Sequence, residues 1–154
     1  MIEQTIDITT QDGAMETFIC HPELGGPYPA VMLLMDAPGV REELRDMARR
    51  LGTVGYYVLL PNLYYRAGRD TIYGPDVLDR DSPEYPRMRA VRTKMTIPPV
   101  MRDVAAMLAF IDRQEAAKPG PVGTHGYCMS GPYALAAAAR HWERLIALYR
   151  RRLG

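Results

Sequence analysis

The sequence predicts an α/β fold: a mostly parallel sheet with helices on both faces, opened by a β-hairpin. Three observations carry this. Short apolar runs alternate with stretches of helical periodicity along most of the chain. Two of those runs, Val31-Met32-Leu33-Leu34-Met35 and Tyr56-Tyr57-Val58-Leu59-Leu60, are continuously apolar, the pattern of strands buried on both faces. The run Gly123-Thr124-His125-Gly126-Tyr127-Cys128-Met129-Ser130-Gly131 breaks from a strand pattern into glycines around one cysteine and then opens a helix pattern.

The elements follow in order. Thr5 to Thr9 alternates and meets the turn signal Gln11-Asp12-Gly13; Ala14 to Cys20 alternates again, so the two form a hairpin. Val31 to Met35 is the third strand. Arg41 to Leu51 reads as a helix, with Leu44, Met47, Ala48 and Leu51 on one face and Gly52 as its stop. Tyr56 to Leu60 is a fourth strand closed by Pro61. Residues 67–95 are polar and proline-bearing, a long excursion with one short helix. Thr96 before Pro98-Pro99 starts a helix whose stripe is Val100, Val104, Met107, Leu108 and Ile111. Pro121 to His125 is a short strand, Pro132 to Arg140 an alanine-rich helix, and Leu145 to Tyr149 a further strand or helical extension.

The bulk numbers restrict the function classes. At 154 residues, 47% hydrophobic and 24% charged, the chain suits one domain, residues 1–154. A net charge of +1 gives no reason to expect nucleic acid or an anionic membrane, and Arg150-Arg151-Arg152 reads as a solvated tail. The sequence has neither a membrane-length apolar run nor a signal-peptide start. Cys20 and Cys128 form no disulfide framework, so a reducing cytoplasm is expected. There is no ligand cluster with zinc spacing and no phosphate-binding glycine loop, so neither metal nor cofactor is expected.

The chemistry concentrates at Cys128. A side chain on a sharp strand-to-helix turn crowds the positions two before and two after it, and Gly126 and Ser130 are small enough to stand there. The following helix points its free N–H groups at the thiol, which favours thiolate. The Met129 N–H supplies half of an oxyanion hole; the other half comes from the loop after the third strand, at Asp36-Ala37. The bland alternative is a cysteine buried as a small hydrophobe.

Gly126-Tyr127-Cys128-Met129-Ser130-Gly131, Met35-Asp36-Ala37-Pro38-Gly39-Val40 and Gly55-Tyr56-Tyr57-Val58-Leu59-Leu60-Pro61-Asn62-Leu63-Tyr64 together resemble three motifs of the dienelactone hydrolase family of α/β hydrolases. The resemblance implies a cysteine hydrolase of lactones or related esters, with a Cys-His-Asp triad. Cys128 matches the nucleophile. Asp36 matches an acidic residue that interacts with the thiol, one methylene shorter than the usual glutamate; alternatively it caps the helix beginning near Val40. Family members run longer, with acid and histidine after two further strands, so the last strands are expected to be missing and the end, from Arg150, reads as truncated or frame-shifted. Trp142 stands where a proline is common.

No histidine here completes a triad. His125 points into one face of the sheet and is expected to be packed. His141 lies at the far end of the helix after the elbow, roughly 15 Å away at 1.5 Å per residue. His21 is expected to be exposed. Tyr64 and Arg66 line a pocket and meet an anionic substrate, or else pack as ordinary loop residues; Cys20 is structural. The expectation is a weakly active or inactive hydrolase. Its rival is a remnant that binds a partner or self-associates through an open sheet edge.

Overall fold

The computed structural model describes residues 1–69 and 71–139. The hairpin comes first. Strands β1 (Ile2–Thr10) and β2 (Gly13–His21) pair antiparallel from Ile2↔His21 to Thr10↔Gly13. Strands β3 (Ala30–Leu34), β4 (Tyr57–Pro61) and β5 (Gly123–Gly126) complete a five-stranded sheet of order β1-β2-β4-β3-β5. β3 runs parallel to both β4 and β5, and β2 joins β4 antiparallel. This is the α/β class that the alternating pattern predicts.

Position in the sheet explains where burial departs from pattern. β1 lies at the edge and is mostly exposed. β2 has β1 on one side and β4 on the other, and Thr17 to His21 are all buried. With the first helix over the face that bears Phe18 and Cys20, its alternation gives way to continuous burial. β4 is buried throughout, as its continuous apolar run requires.

Helix α1 (Glu42–Thr53) carries Glu42 and Glu43 in its first turn, where acidic groups complement the helix dipole. Leu44 and Ala48 are buried, whereas Met47 is left 38% exposed at the margin of the stripe. α1 covers the face of β2 that bears Phe18 and Cys20: the Arg45 and Arg49 guanidinium groups lie over the Phe18 ring. Gly52 is not the stop the sequence suggests. It lies inside the helix, where a Cβ would come within 3.0 Å of Met1 Sδ and 3.4 Å of Cys20 Sγ. Gly55, at φ +101° and with its N–H on the Gly52 carbonyl, ends the turn instead.

The excursion 67–95 contains one helix of regular length, α2 (Glu84–Arg92). α3 (Ile97–Ile111) starts after Thr96 with proline in its first turn, and buries Val100, Val104, Met107 and Ile111 as its stripe predicts. It also buries Asp103, which no apolar periodicity flags. Residues 131–139 are helical (α4). His141, Trp142, the segment 145–149 and the arginines at 150–152 lie outside the described residues. No described helix is long and apolar enough to cross a membrane. The carboxyl ends of β3, β4 and β5 share one edge, and the loops 35–39, 62–68 and 127–130 gather there.

Candidate active site

Cys128 has φ +51° and is the one non-glycine residue with positive φ among those described. An L-residue holds this conformation only where the surroundings enforce it. Two local demands enforce it here. β5 must end at Gly126, where the Tyr127 N–H still reaches the Leu34 carbonyl at 3.4 Å. The chain must then turn at once, and Cys128–Ser130 does so as a 3-10 turn leading into α4. The reversal brings residues 126 and 130 together: a Cβ on Gly126 would stand 2.3 Å from the Ser130 carbonyl oxygen. The crowding inferred from sequence is therefore real at position 126. At 130 a serine fits, and its buried hydroxyl donates to the Met35 carbonyl.

The thiol this turn presents is exposed. The hydrophobe alternative thus fits Cys20 instead, which is fully buried. Burial pushes the Cys20 thiol up to about 11. Among the described residues, no side chain hydrogen-bonds Cys128.

Ala37 and Met129 are both buried, and no described carbonyl accepts the N–H of either. The loop and the turn that carry them are tied together. Ser130 Oγ reaches Met35, and the Tyr64 hydroxyl donates to the Ala37 carbonyl at 2.8 Å while lying 3.4 Å from Met129 Sδ.

Asp36, Arg66 and Tyr64 have definite partners in the structure. The Asp36 carboxylate does not engage the thiol; the Arg41 guanidinium takes both its oxygens, at 2.6 and 3.0 Å. Asp36 does not cap α1 directly either, since no side chain caps that helix; it braces the helix start through Arg41. Arg66 does not face the elbow. It holds Asp103 at 2.8 and 2.9 Å and Asp12 at 2.7 Å, towards the β1–β2 turn, on the same strand-end edge but three strands away from β5. Tyr64 is 1% exposed and ties the two loops together; with Arg66 it also lines a small cavity of about 120 Å³ beside Val91, Lys94 and Met95.

The histidines also differ from expectation. His21 is buried, because it ends an inner strand and stacks on Tyr57 with ring centroids 5.0 Å apart. His125 is exposed, edge-on to Tyr127 at 4.5 Å, over a shallow hollow with Leu33, Met47 and Leu51. β5 lies at the edge of the described sheet, and α4 packs on it at Thr124, whose hydroxyl donates to the Ala134 carbonyl at 3.1 Å. No group of three or more His, Cys, Asp or Glu side chains among the described residues could hold a metal.

Residues 67–95, which the sequence marks as shaping the pocket without revealing their fold, line a cleft beside the elbow. A cavity of about 810 Å³ is lined by Met129, Pro132 and Tyr133 on one side and by Arg80, Met88, Arg89, Arg92 and Met95 on the other. Its signal was present as Arg89-x-x-Arg92, two cations on one helix face.

A sheet whose strand ends in a strained Gly-x-Cys turn, with a helix behind it and an opposing loop amide, defines the α/β-hydrolase class. Residues 15–150 match the dienelactone hydrolase family, and the chain belongs to that family. It is 30% identical over 131 residues to a "Putative carboxymethylenebutenolidase" of Methylorubrum extorquens, covering 85% of this chain and 42% of that one. It is 29% identical over 124 residues to the carboxymethylenebutenolidase of Rhodococcus opacus, covering 80% and 44%. The dienelactone hydrolase structure from Anabaena variabilis shares the fold at a TM-score of 0.62 and 18% identity, over 92% of this chain and 59% of that one. The chain spans less than half the length of these two curated relatives.

Proposed function

We propose that the chain is a single partial α/β-hydrolase domain, residues 1–154, carrying the nucleophile side of a hydrolase for lactones or carboxylic esters. Cys128 is the nucleophile. Its sulfur adds to the substrate carbonyl, and the oxyanion that forms is held by the Met129 and Ala37 N–H groups. The carbonyl re-forms as the C–O bond breaks, leaving an acyl-thioester and an alkoxide that takes a proton. Water then cleaves the thioester. Asp36, held by Arg41, keeps the Ala37 loop in place rather than acting on the thiol. The single observation that carries this reading is the positive φ of the exposed Cys128, a strain that an ordinary loop cysteine has no reason to hold.

The arginines of the cleft support an anionic substrate, and Met88, Met95 and Met129 beside them suit its apolar part. Thioester hydrolysis needs a base, and no described side chain hydrogen-bonds the thiol to act as one. Acylation therefore outruns deacylation, and turnover by the 154-residue chain is weak. A reducing, cytoplasmic setting belongs to the same reading, because an exposed thiol persists there.

The test is p-nitrophenyl acetate and a five-membered enol-lactone, followed by product release and intact mass. The expected result is a stoichiometric burst with an acyl adduct on Cys128, absent in Cys128→Ala. A burst that survives Cys128→Ala overturns the nucleophile. Fast steady turnover overturns the slow deacylation step instead.

One observation favours a second reading. β5 pairs with β3 alone among the described strands, so its other edge can pair with another chain. Gel filtration across concentrations separates the two: self-association supports this reading, and a concentration-independent monomer removes it.

A further inference from the structure

We propose that Tyr64, with Ser130 as a second pin, is a positioning residue of the oxyanion hole. The inference rests on the acyl-transfer reading above. An oxyanion hole built from two loops works only if the loops keep their spacing, because a donor displaced by a fraction of an ångström no longer meets the forming charge. The two candidate amides belong to different segments: Ala37 follows β3, and Met129 follows β5. Two side chains connect those segments. The Tyr64 hydroxyl donates to the Ala37 carbonyl at 2.8 Å and lies 3.4 Å from Met129 Sδ, so one buried group touches both donor residues. Ser130, one residue beyond Met129, donates its hydroxyl to the Met35 carbonyl, two residues before Ala37.

The local backbone makes the first contact effective. Ala37 and Pro38 form a turn closed by the Gly39 N–H on the Asp36 carbonyl at 3.2 Å, which holds the loop backbone. Fixing the Ala37 carbonyl then fixes the direction of its N–H. Tyr64 is itself immobilised: its N–H is held by the Asn62 side chain at 3.0 Å, and its ring packs edge-on against Tyr73. Burial raises the Tyr64 phenol well above its ordinary value, so the hydroxyl remains a donor at any working pH. A phenylalanine would fill the same space and lose only the hydroxyl's contacts to the Ala37 carbonyl and Met129 Sδ.

The test compares two reactions of the same thiol in the 154-residue chain. With p-nitrophenyl acetate, the C–S bond forms and the C–O bond breaks. The nitrophenolate leaves with the electron pair, the thiol proton passes to solvent, and an oxyanion develops on the way. With iodoacetamide the sulfur displaces iodide from a saturated carbon, and no oxyanion develops. Tyr64→Phe is expected to slow acylation about tenfold, a fraction of the 10²–10³ lost with a whole oxyanion donor. Alkylation is expected to change less than about twofold, since iodide displacement makes no use of those donors. Ser130→Ala lowers the acylation-to-alkylation ratio in the same direction, and decides the matter alone if Tyr64→Phe does not fold by circular dichroism. An unchanged ratio in a folded variant overturns the positioning role, and so does an equal fall in both rates. A wild-type ratio no higher than that of glutathione removes the oxyanion hole, and with it both the positioning role and the acyl-transfer reading.

Discussion

Two clusters stand on the same edge of the sheet and are built on opposite terms. Towards β1 and β2, Arg66 clasps Asp103 and Asp12, Arg102 adds a second cation to Asp12, and the Tyr65 hydroxyl joins Asp103 to Thr10. Every charge there meets its opposite. Beside β5, Cys128 is exposed, its thiol without a hydrogen bond among the described residues, on a positive φ, and no described carbonyl accepts the N–H of Met129 or Ala37. Three strand spacings of about 4.8 Å separate β2 from β5 across the sheet. The difference teaches how to rank polar candidates. A satisfied network stabilises a fold, whereas strain held beside unused donors marks a place kept ready for a substrate.

The largest test of that contrast is Asp103→Ala. Asp103 is fully buried, and burial pushes its carboxyl up against the pull of Arg66 and Tyr65. Removing it strands the inner half of the Arg66 guanidinium. Breaking a buried pair on one side costs about 3 kcal/mol once the partial exposure of Arg66 is allowed for. Urea melts should show that loss, while acylation of Cys128 in the folded fraction stays at the wild-type rate. Acylation that falls along with stability would show the two clusters to be coupled.

Next comes Gly126→Ala, which attacks the other cluster. The new Cβ meets a backbone carbonyl, not a flexible side chain, so the turn must open. The cost in stability is about 2 kcal/mol, within the range for overpacking and backbone strain. The larger change is in reactivity: the acylation burst should disappear while iodoacetamide still labels the thiol. A retained burst would mean that the turn geometry is not what activates Cys128.

The sequence carried the contrast unevenly. Continuous apolar runs made β3 and β4 legible, and the glycine-flanked cysteine made the elbow legible, because burial and steric crowding are properties of neighbouring residues. Partnerships across the sheet were not. Nothing near Arg66 announces Asp103, 37 positions later in the chain. Nothing near Asp36 shows that Arg41 takes its carboxylate rather than Cys128. Tyr64 was singled out as a pocket residue because it follows a strand end, but its burial and its reach to Ala37 depend on how the loops 35–39 and 62–68 close over each other. The arginine face of α2 lay in a stretch with neither apolar periodicity nor a strong cap to reveal its fold.

The smallest effect concerns the second cysteine and sets a buried thiol against the exposed one. Burial is the main cause that lifts Cys20 from 9.0 to about 11, with Glu3 adding to it and Arg49 opposing. The unfolded chain releases this proton as pH passes 9; the native chain keeps it to about 11. Between those values the native state binds more protons than the unfolded state, so stability falls as pH rises. By pH 10 the loss is about 1 kcal/mol. Tyr57 and Tyr65, both lifted chiefly by burial to about 12, extend the decline at higher pH. Denaturant melts from pH 8 to 10.5 should show this limb, and Cys20→Ala should remove its first part while leaving the tyrosine part. The same ordering predicts that iodoacetamide at pH 8.5 labels Cys128 in the native protein and reaches Cys20 only on unfolding, since alkylation consumes thiolate and requires access. Native labelling of Cys20 at a rate near that of Cys128 would mean that the β2–α1 contact opens readily, and the distinction between an inert and a presented cysteine would fail at its source.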